Sequence, residues 1–152
     1  MDLVLLEETI DEPSGTLLLD GFEAEIASLY PGWHRDIGPS AGAMELAAPA
    51  GGFVVAYMSG QPSGCGGFKQ IDARCAELKR MYVRPQTRGL GVGRKLLARI
   101  EELAARAGYE RIRLDTGTSQ REAQGLYRSH GYLEIPDYNG NPLATLWFEK
   151  RL

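Results

Sequence analysis

The sequence predicts an α+β (mixed α/β) domain organised around one sheet. Two observations carry this reading. The apolar pattern switches between a period of two and a period near 3.6, in the order β-α-β-β-β-α-β-α-β-β. The chain of 152 residues, 43% apolar and 24% charged, has side chains enough for one core. No linker or internal repeat divides it, so residues 1–152 read as a single domain.

Asp2-Leu-Val-Leu-Leu-Glu7 reads as a first strand. Ser14 is placed to cap a helix over about 16–30, where Leu18, Phe22, Ile26 and Leu29 recur at helical spacing. Tyr30-Pro31-Gly32-Trp33 ends it, and an irregular stretch runs to about residue 51. Phe53–Met58 is a strand, residues 59–64 a turn, and 65–71 and 75–83 a hairpin turning at Asp72-Ala73-Arg74. That register sets Cys75 near Ile71 and Cys65 near Met81. Leu96, Leu97, Ile100, Leu103, Ala104 and Ala107 mark an amphipathic helix over about 91–107, stopped by Gly108. Arg111–Thr116 is a strand. Ser119 opens a helix over 120–130 that Gly131 ends, and the last strands are 132–135 and 145–151.

This composition excludes a disordered chain, a coiled coil and a fibre. No apolar run approaches the roughly 18 residues a membrane span needs. The acid-rich opening lacks the basic residues of a secretory signal, so the expectation is a cytoplasmic protein. Cys65 and Cys75 show no metal spacing and sit far apart on the expected hairpin, which predicts no disulfide. His34 and His130 have no Cys or His partners nearby, so no metal is expected.

Net charge is −3, unevenly distributed. Residues 1–50 hold ten acids and one base, whereas residues 79–99 hold seven bases and no acid. The basic run on an acidic protein suggests a compact anion rather than a nucleic acid. The acidic third either attracts a cationic substrate or is a solvated face.

Within the basic run, a strand leads into Arg88-Gly89-Leu90-Gly91-Val92-Gly93, and a helix begins directly. The first amides of a helix lack intrahelical partners, its dipole favours negative charge there, and glycines let the backbone approach an anion. Arg88, Arg94 and Lys95 add charge. This reads as a pyrophosphate cradle. It is not a Walker loop, because no GxxxxGK followed by Ser or Thr occurs. Nor is it a dinucleotide GxGxxG, because Leu96 stands where the third glycine is needed.

These residues resemble the GNAT N-acetyltransferase family. Arg88 through Gly93 match its acyl-CoA pyrophosphate signature, a Gln or Arg followed by two residues, Gly, any residue, and Gly or Ala. The flanking LKRMYV and RKLL, and Thr118-Ser119-Gln120 with Ala123 to Tyr132, are also similar to that family. The resemblance implies a central mixed, mostly antiparallel sheet flanked by helices, and acetyl-CoA as cosubstrate. It implies that backbone groups of Met81 and Val83, with Tyr82 between them, hold the pantetheine arm. The amides of Arg88, Gly89, Leu90, Gly91, Val92, Gly93 and Arg94, beside Lys95, would hold the pyrophosphate. Ser119, Gln120 and Gln124 would sit by the CoA arm, and Tyr127 near the thioester sulfur.

Acetyl transfer needs a neutral amine, a donor to the oxyanion and a proton for the leaving thiolate. Tyr127 suits the last role, or is a core aromatic. Glu77 is the candidate base, directly or through water, or else is a surface acid paired with Lys79 or Arg80. Neither cysteine has a base beside it in sequence, so transfer is expected to be direct, without an acyl-cysteine. The family commonly builds its acceptor pocket from the first helical region and the last loop, here Tyr30, Trp33, His34, Tyr138 and Asn139. The expected partners are acetyl-CoA and the amine of a small molecule, with no nucleic acid and no membrane; a homodimer is compatible. A protein or peptide amine, and a silent CoA sensor, stay open as alternatives.

Overall fold

The computed structural model of the chain describes residues 2–34 and 41–152. Strand β1 (Leu3–Glu7) leads to helix α1 (Pro13–Leu29) and the antiparallel run β2 (Gly52–Met58), β3 (Gln61–Asp72) and β4 (Cys75–Val83). Helix α2 (Val92–Arg106), β5 (Arg111–Thr116), α3 (Arg121–Ser129), β6 (Leu133–Ile135) and β7 (Leu146–Arg151) complete it. The seven strands form one sheet in the order β1-β2-β3-β4-β5-β7-β6. All pairs are antiparallel except β4 with β5. The mixed, mostly antiparallel sheet with flanking helices is the fold the sequence predicts.

The sheet is covered on both faces, which explains why Phe53–Ala56 are buried consecutively rather than alternately. Val54 and Ala56 pack with Val92, Leu96, Leu97 and Ile100 of α2 and with Tyr127 of α3. Phe53 and Val55 face the other way, onto Leu18 of α1 with Cys65 and Tyr82. Leu96, Leu97 and Ile100 are fully buried, each worth about 1.5–3 kcal/mol. The approach of α2 requires glycine in β3. A Cβ on Gly66 would stand 2.7 Å from Ile100 Cδ1 and 2.8 Å from Met81 Sδ.

Several boundaries differ from the sequence reading, each for a local reason. The expected turn of residues 59–64 is only Ser59-Gly60. Both have positive φ, 51° and 80°, as a two-residue hairpin turn requires, and Met58 pairs with Gln61. Ser14 does not cap α1: the helix starts at Pro13, and the Ser14 hydroxyl takes a hydrogen bond from Tyr57 Oη at 2.8 Å. Helix α3 has Gln120, not Ser119, at its cap position. Cys65 pairs with Tyr82 rather than Met81, because β4 carries one extra residue between the Cys65–Tyr82 and Gly67–Lys79 pairs. That bulge centres on Arg80, whose φ is +59°. A second irregularity sets Cys75 against Asp72 rather than Ile71. The irregular stretch predicted to about residue 51 falls partly on 35–40, outside the described residues; its later part buries Ala41 and Leu46.

Candidate active site

The only parallel pairing among the described residues is short. Cys75, Ala76 and Glu77 of β4 pair with Arg111, Ile112 and Arg113 of β5, and the register ends there. Beyond it the strands diverge, and the gap is lined by Leu78 to Met81 on one side and Leu114 to Thr116 on the other. Diverging strands leave backbone amides and carbonyls without ladder partners, and the Arg80 bulge interrupts the ladder further. Two cavities meet at this gap. One, of about 780 Å³, runs from Met81, Tyr82 and Val83 to the glycine turn and along α3. The other, of about 160 Å³, lies between α1, the diverging strands and the segment before β7. Phe22, Ile26, Met81, Gln120, Ala123 and Tyr127 line both, so the cavities share a wall.

The larger cavity ends at the first turn of α2. Gly89 and Gly91 have φ of +80° and +86°, the left-handed region that glycine enters freely, and Gly91 is the cap residue of α2. The hydrogen-bond ladder starts with Lys95 N–H on the Gly91 carbonyl, which leaves the first-turn amides of Val92, Gly93 and Arg94 without helical acceptors. Arg88 is held at the side of this turn. It donates to both Glu25 oxygens at 2.8 Å and to the Val83 carbonyl at 2.9 Å. The cleft thus offers an elongated channel ending in a positive helix terminus, which fits a pantetheine pyrophosphate.

Tyr127 is buried by Tyr132 and Phe148, with ring centroids at 5.7 and 6.4 Å. Its hydroxyl has no hydrogen-bond partner among the described residues. Burial, reinforced by the charge of Asp115, holds the phenol well above its ordinary pKa, so it stays protonated at neutral pH. Beside it, the Thr116 hydroxyl is buried without a partner.

Glu77 lines neither cavity. Its carboxylate is buried and accepts from Tyr138 Oη at 2.5 Å and Asn139 Nδ2 at 3.2 Å, with Lys79 Nζ at 3.2 Å. The sequence reading of a surface acid is therefore corrected on exposure, while the pairing with Lys79 is present. Asn139 Nδ2 also reaches Asp115 Oδ2 at 2.5 Å, so one amide joins the two carboxylates. Trp147 Nε1 fixes the Asn139 carbonyl at 2.9 Å. This network ties the loop between β6 and β7 to the sheet, and it is why Tyr138 and Asn139 do not face the cavities.

Of the other expected site residues, Tyr30 and Trp33 line the smaller cavity, and Ser119, Gln120 and Arg94 the larger. Gln124 does not; its amide is engaged by the Gly117 carbonyl at 2.7 Å. Leu90 and Lys95 are exposed and outside the lining. The sequence reading missed Phe22, Ile26, Asp115, Thr116 and Asn141. Only Asp115 had a usable signal, an acid at the end of the strand that follows the cradle helix.

Both thiols are free and buried. Burial pushes Cys65 up to about 12 and raises Cys75 too, against the pull of Arg113 and Arg111. Neither is a thiolate at neutral pH, and neither lines either of these two cavities. Replacing either by Ala is expected to leave turnover within about threefold in a folded variant, far below the loss from a removed nucleophile. A trapped acetyl-cysteine, seen by mass spectrometry, would contradict this.

Among the described residues no group of three His, Cys, Asp or Glu could hold a metal, and no helix is long and apolar enough to cross a membrane. A family model described as the acetyltransferase (GNAT) family matches residues 18–132. An IAA acetyltransferase of Azospirillum brasilense is 34% identical over 139 residues, 89% of this chain and 88% of its own. A Klebsiella pneumoniae structure superposes with a TM-score of 0.80 at 25% identity, covering 99% of this chain and 97% of that one. A GNAT acetyltransferase of Elizabethkingia anophelis, with acetyl-CoA bound, superposes at 0.67 with 17% identity, covering 99% and 98%.

Proposed function

The chain belongs to the GNAT acetyltransferase family, and on that premise we propose that it moves an acetyl group from acetyl-CoA to a primary amine of a small molecule by direct attack in a ternary complex. The observation that carries this is the wall shared by the two cavities, with an unpartnered phenol in it. A thioester lying along the larger cavity would present its carbonyl carbon at that wall. The smaller cavity would hold the amine on the far side. The acetyl-CoA in the Elizabethkingia structure and the acetyltransferase name of the Azospirillum relative support the donor. Two buried free thiols support a cytoplasmic setting.

In this reading the helix terminus of α2 anchors the pyrophosphate. Backbone groups of Met81 and Val83, beside the bulge, hold the pantetheine arm and the developing oxyanion. The amine nitrogen bonds to the acetyl carbon, the carbon–sulfur bond breaks, and Tyr127 gives its proton to the sulfur. The burial that raises the Tyr127 pKa keeps the phenol protonated until the sulfur departs. Initial rates should give intersecting lines in double-reciprocal plots for acetyl-CoA against amine; parallel lines would overturn direct attack.

Glu77 acts here as a positioning residue, reaching the acceptor side through Asn139. The charged groups around it are Lys79 and Lys69 from the sheet and Asp115 across Asn139. Glu77→Gln is expected to slow turnover a few-fold, most at low pH where the amine is protonated and least at high pH where it deprotonates unaided. The check is turnover against pH. A ratio of variant to wild type that is constant across pH would remove Glu77 from proton traffic.

A further inference from the structure

We propose that the smaller cavity takes a primary alkylammonium arm, with the Asp115 carboxylate receiving it and accepting its proton; this rests on the acetyltransferase reading above. Asp115 ends up on this wall because β5 has left β4 two residues earlier. Its oxygens accept only from neutral amides, Asn139 Nδ2 at 2.5 Å and Asn141 Nδ2 at 3.1 Å. Among the described residues no Lys, Arg or His comes within salt-bridge distance of it. Glu77, by contrast, has Lys79 at 3.2 Å, which cancels much of both charges. Lys79 and Arg80 also line the wall; Lys79 is held by Glu77, and Arg80 donates to the Ala41 carbonyl at 3.3 Å.

A half-buried carboxylate with neutral donors has been partly desolvated without a counter-charge. Two amides fix its plane and leave about half of its four lone-pair sites unused. A cation entering the cavity would complete it. Two further observations fit an ammonium. Phe22, Tyr30 and Trp33 line the same space, and aromatic faces attract cations. The volume, about 160 Å³ against about 780 Å³ for the larger cavity, suits a slim chain.

The proton balance closes. The ammonium gives one proton to Asp115, which passes it to solvent. The neutral nitrogen then bonds to the acetyl carbon as the carbon–sulfur bond breaks. The nitrogen's second proton replaces, by way of water, the one Tyr127 has given to sulfur. The products are the amide, CoA thiol and one proton in solution.

The test compares butylamine with methoxyamine, which is uncharged at neutral pH. Asp115→Asn should lower kcat/KM for butylamine about tenfold or more, equivalent to about 1.4 kcal/mol, and leave methoxyamine within about twofold. Asp115→Glu, which restores the charge, should recover most of the butylamine rate. Equal losses on both amines would make Asp115 a structural residue and overturn the proposal. Calorimetry with butylammonium in the presence of CoA decides the same point without turnover: binding at least tenfold weaker to Asp115→Asn supports it, and equal binding overturns it. Failure of the acetyltransferase reading would look different, as a wild-type protein that acetylates neither amine.

Discussion

Tyr127→Phe should lower turnover 10- to 100-fold while leaving the amine KM and the acetyl-CoA Kd nearly unchanged. The substitution keeps the ring, and with it the contacts to Tyr132 and Phe148. The hydroxyl it removes has no hydrogen-bond partner among the described residues, so little stability rides on it. What is lost is the proton donor facing the shared wall. General acids typically contribute roughly 10²- to 10⁴-fold. CoA thiolate is a good leaving group even without one, which sets the expectation at or below the low end. The loss should fall on kcat and kcat/KM together, the mark of an interaction made only in the transition state. A variant running at the wild-type rate, with chemistry shown to be rate-limiting, would reduce Tyr127 to packing.

Gly91→Val should weaken acetyl-CoA binding tenfold or more, about 1.4 kcal/mol. Two effects act together. At a φ of +86° a β-branched residue is strained, so the turn would shift the first amides of α2 away from the anion. The side chain would also occupy the space the pyrophosphate needs, since Gly91 lines the larger cavity. Gly91→Ala, with strain and little bulk, should fall between Val and wild type. Calorimetry reads the affinity, and circular dichroism shows that the fold survives. Unchanged affinity in a folded Gly91→Val protein would remove the cradle from cofactor binding.

The cradle was legible in the sequence because its physics is written in residue types: glycines where φ must be positive, bases where an anion sits, and an apolar helix period directly after. The order of elements along the chain was legible because each strand announced its period and the turns between them; the order of strands in the sheet was not. The register was not. It depends on the bulge at Arg80, a positive φ imposed on a residue that carries no local signal for it. Without the bulge, Cys65 falls opposite Met81, as the sequence suggested; with it, the partner is Tyr82. The acceptor side was the least legible. Tyr138 and Asn139 look like pocket residues because they are polar and lie in a loop. Whether they face a cavity or brace a carboxylate depends on Glu77 and Asp115, brought together from strands 38 residues apart in sequence and joined through Asn139. Asp115 itself is one acid at the end of one strand, and it acquires a role only where β4 and β5 part.

The most direct test of the account mixes the protein with acetyl-CoA and a panel of alkylamines, amino acids and aminoglycosides, and follows thiol release alongside the mass of the amine product. The account predicts CoA thiol and N-acetylated amine in equal amounts, fastest with slim primary alkylamines. It also predicts the same 10- to 100-fold loss of both signals in Tyr127→Phe. Tight binding of acetyl-CoA with no transfer to any amine would contradict it and make this cleft a sensor of the thioester.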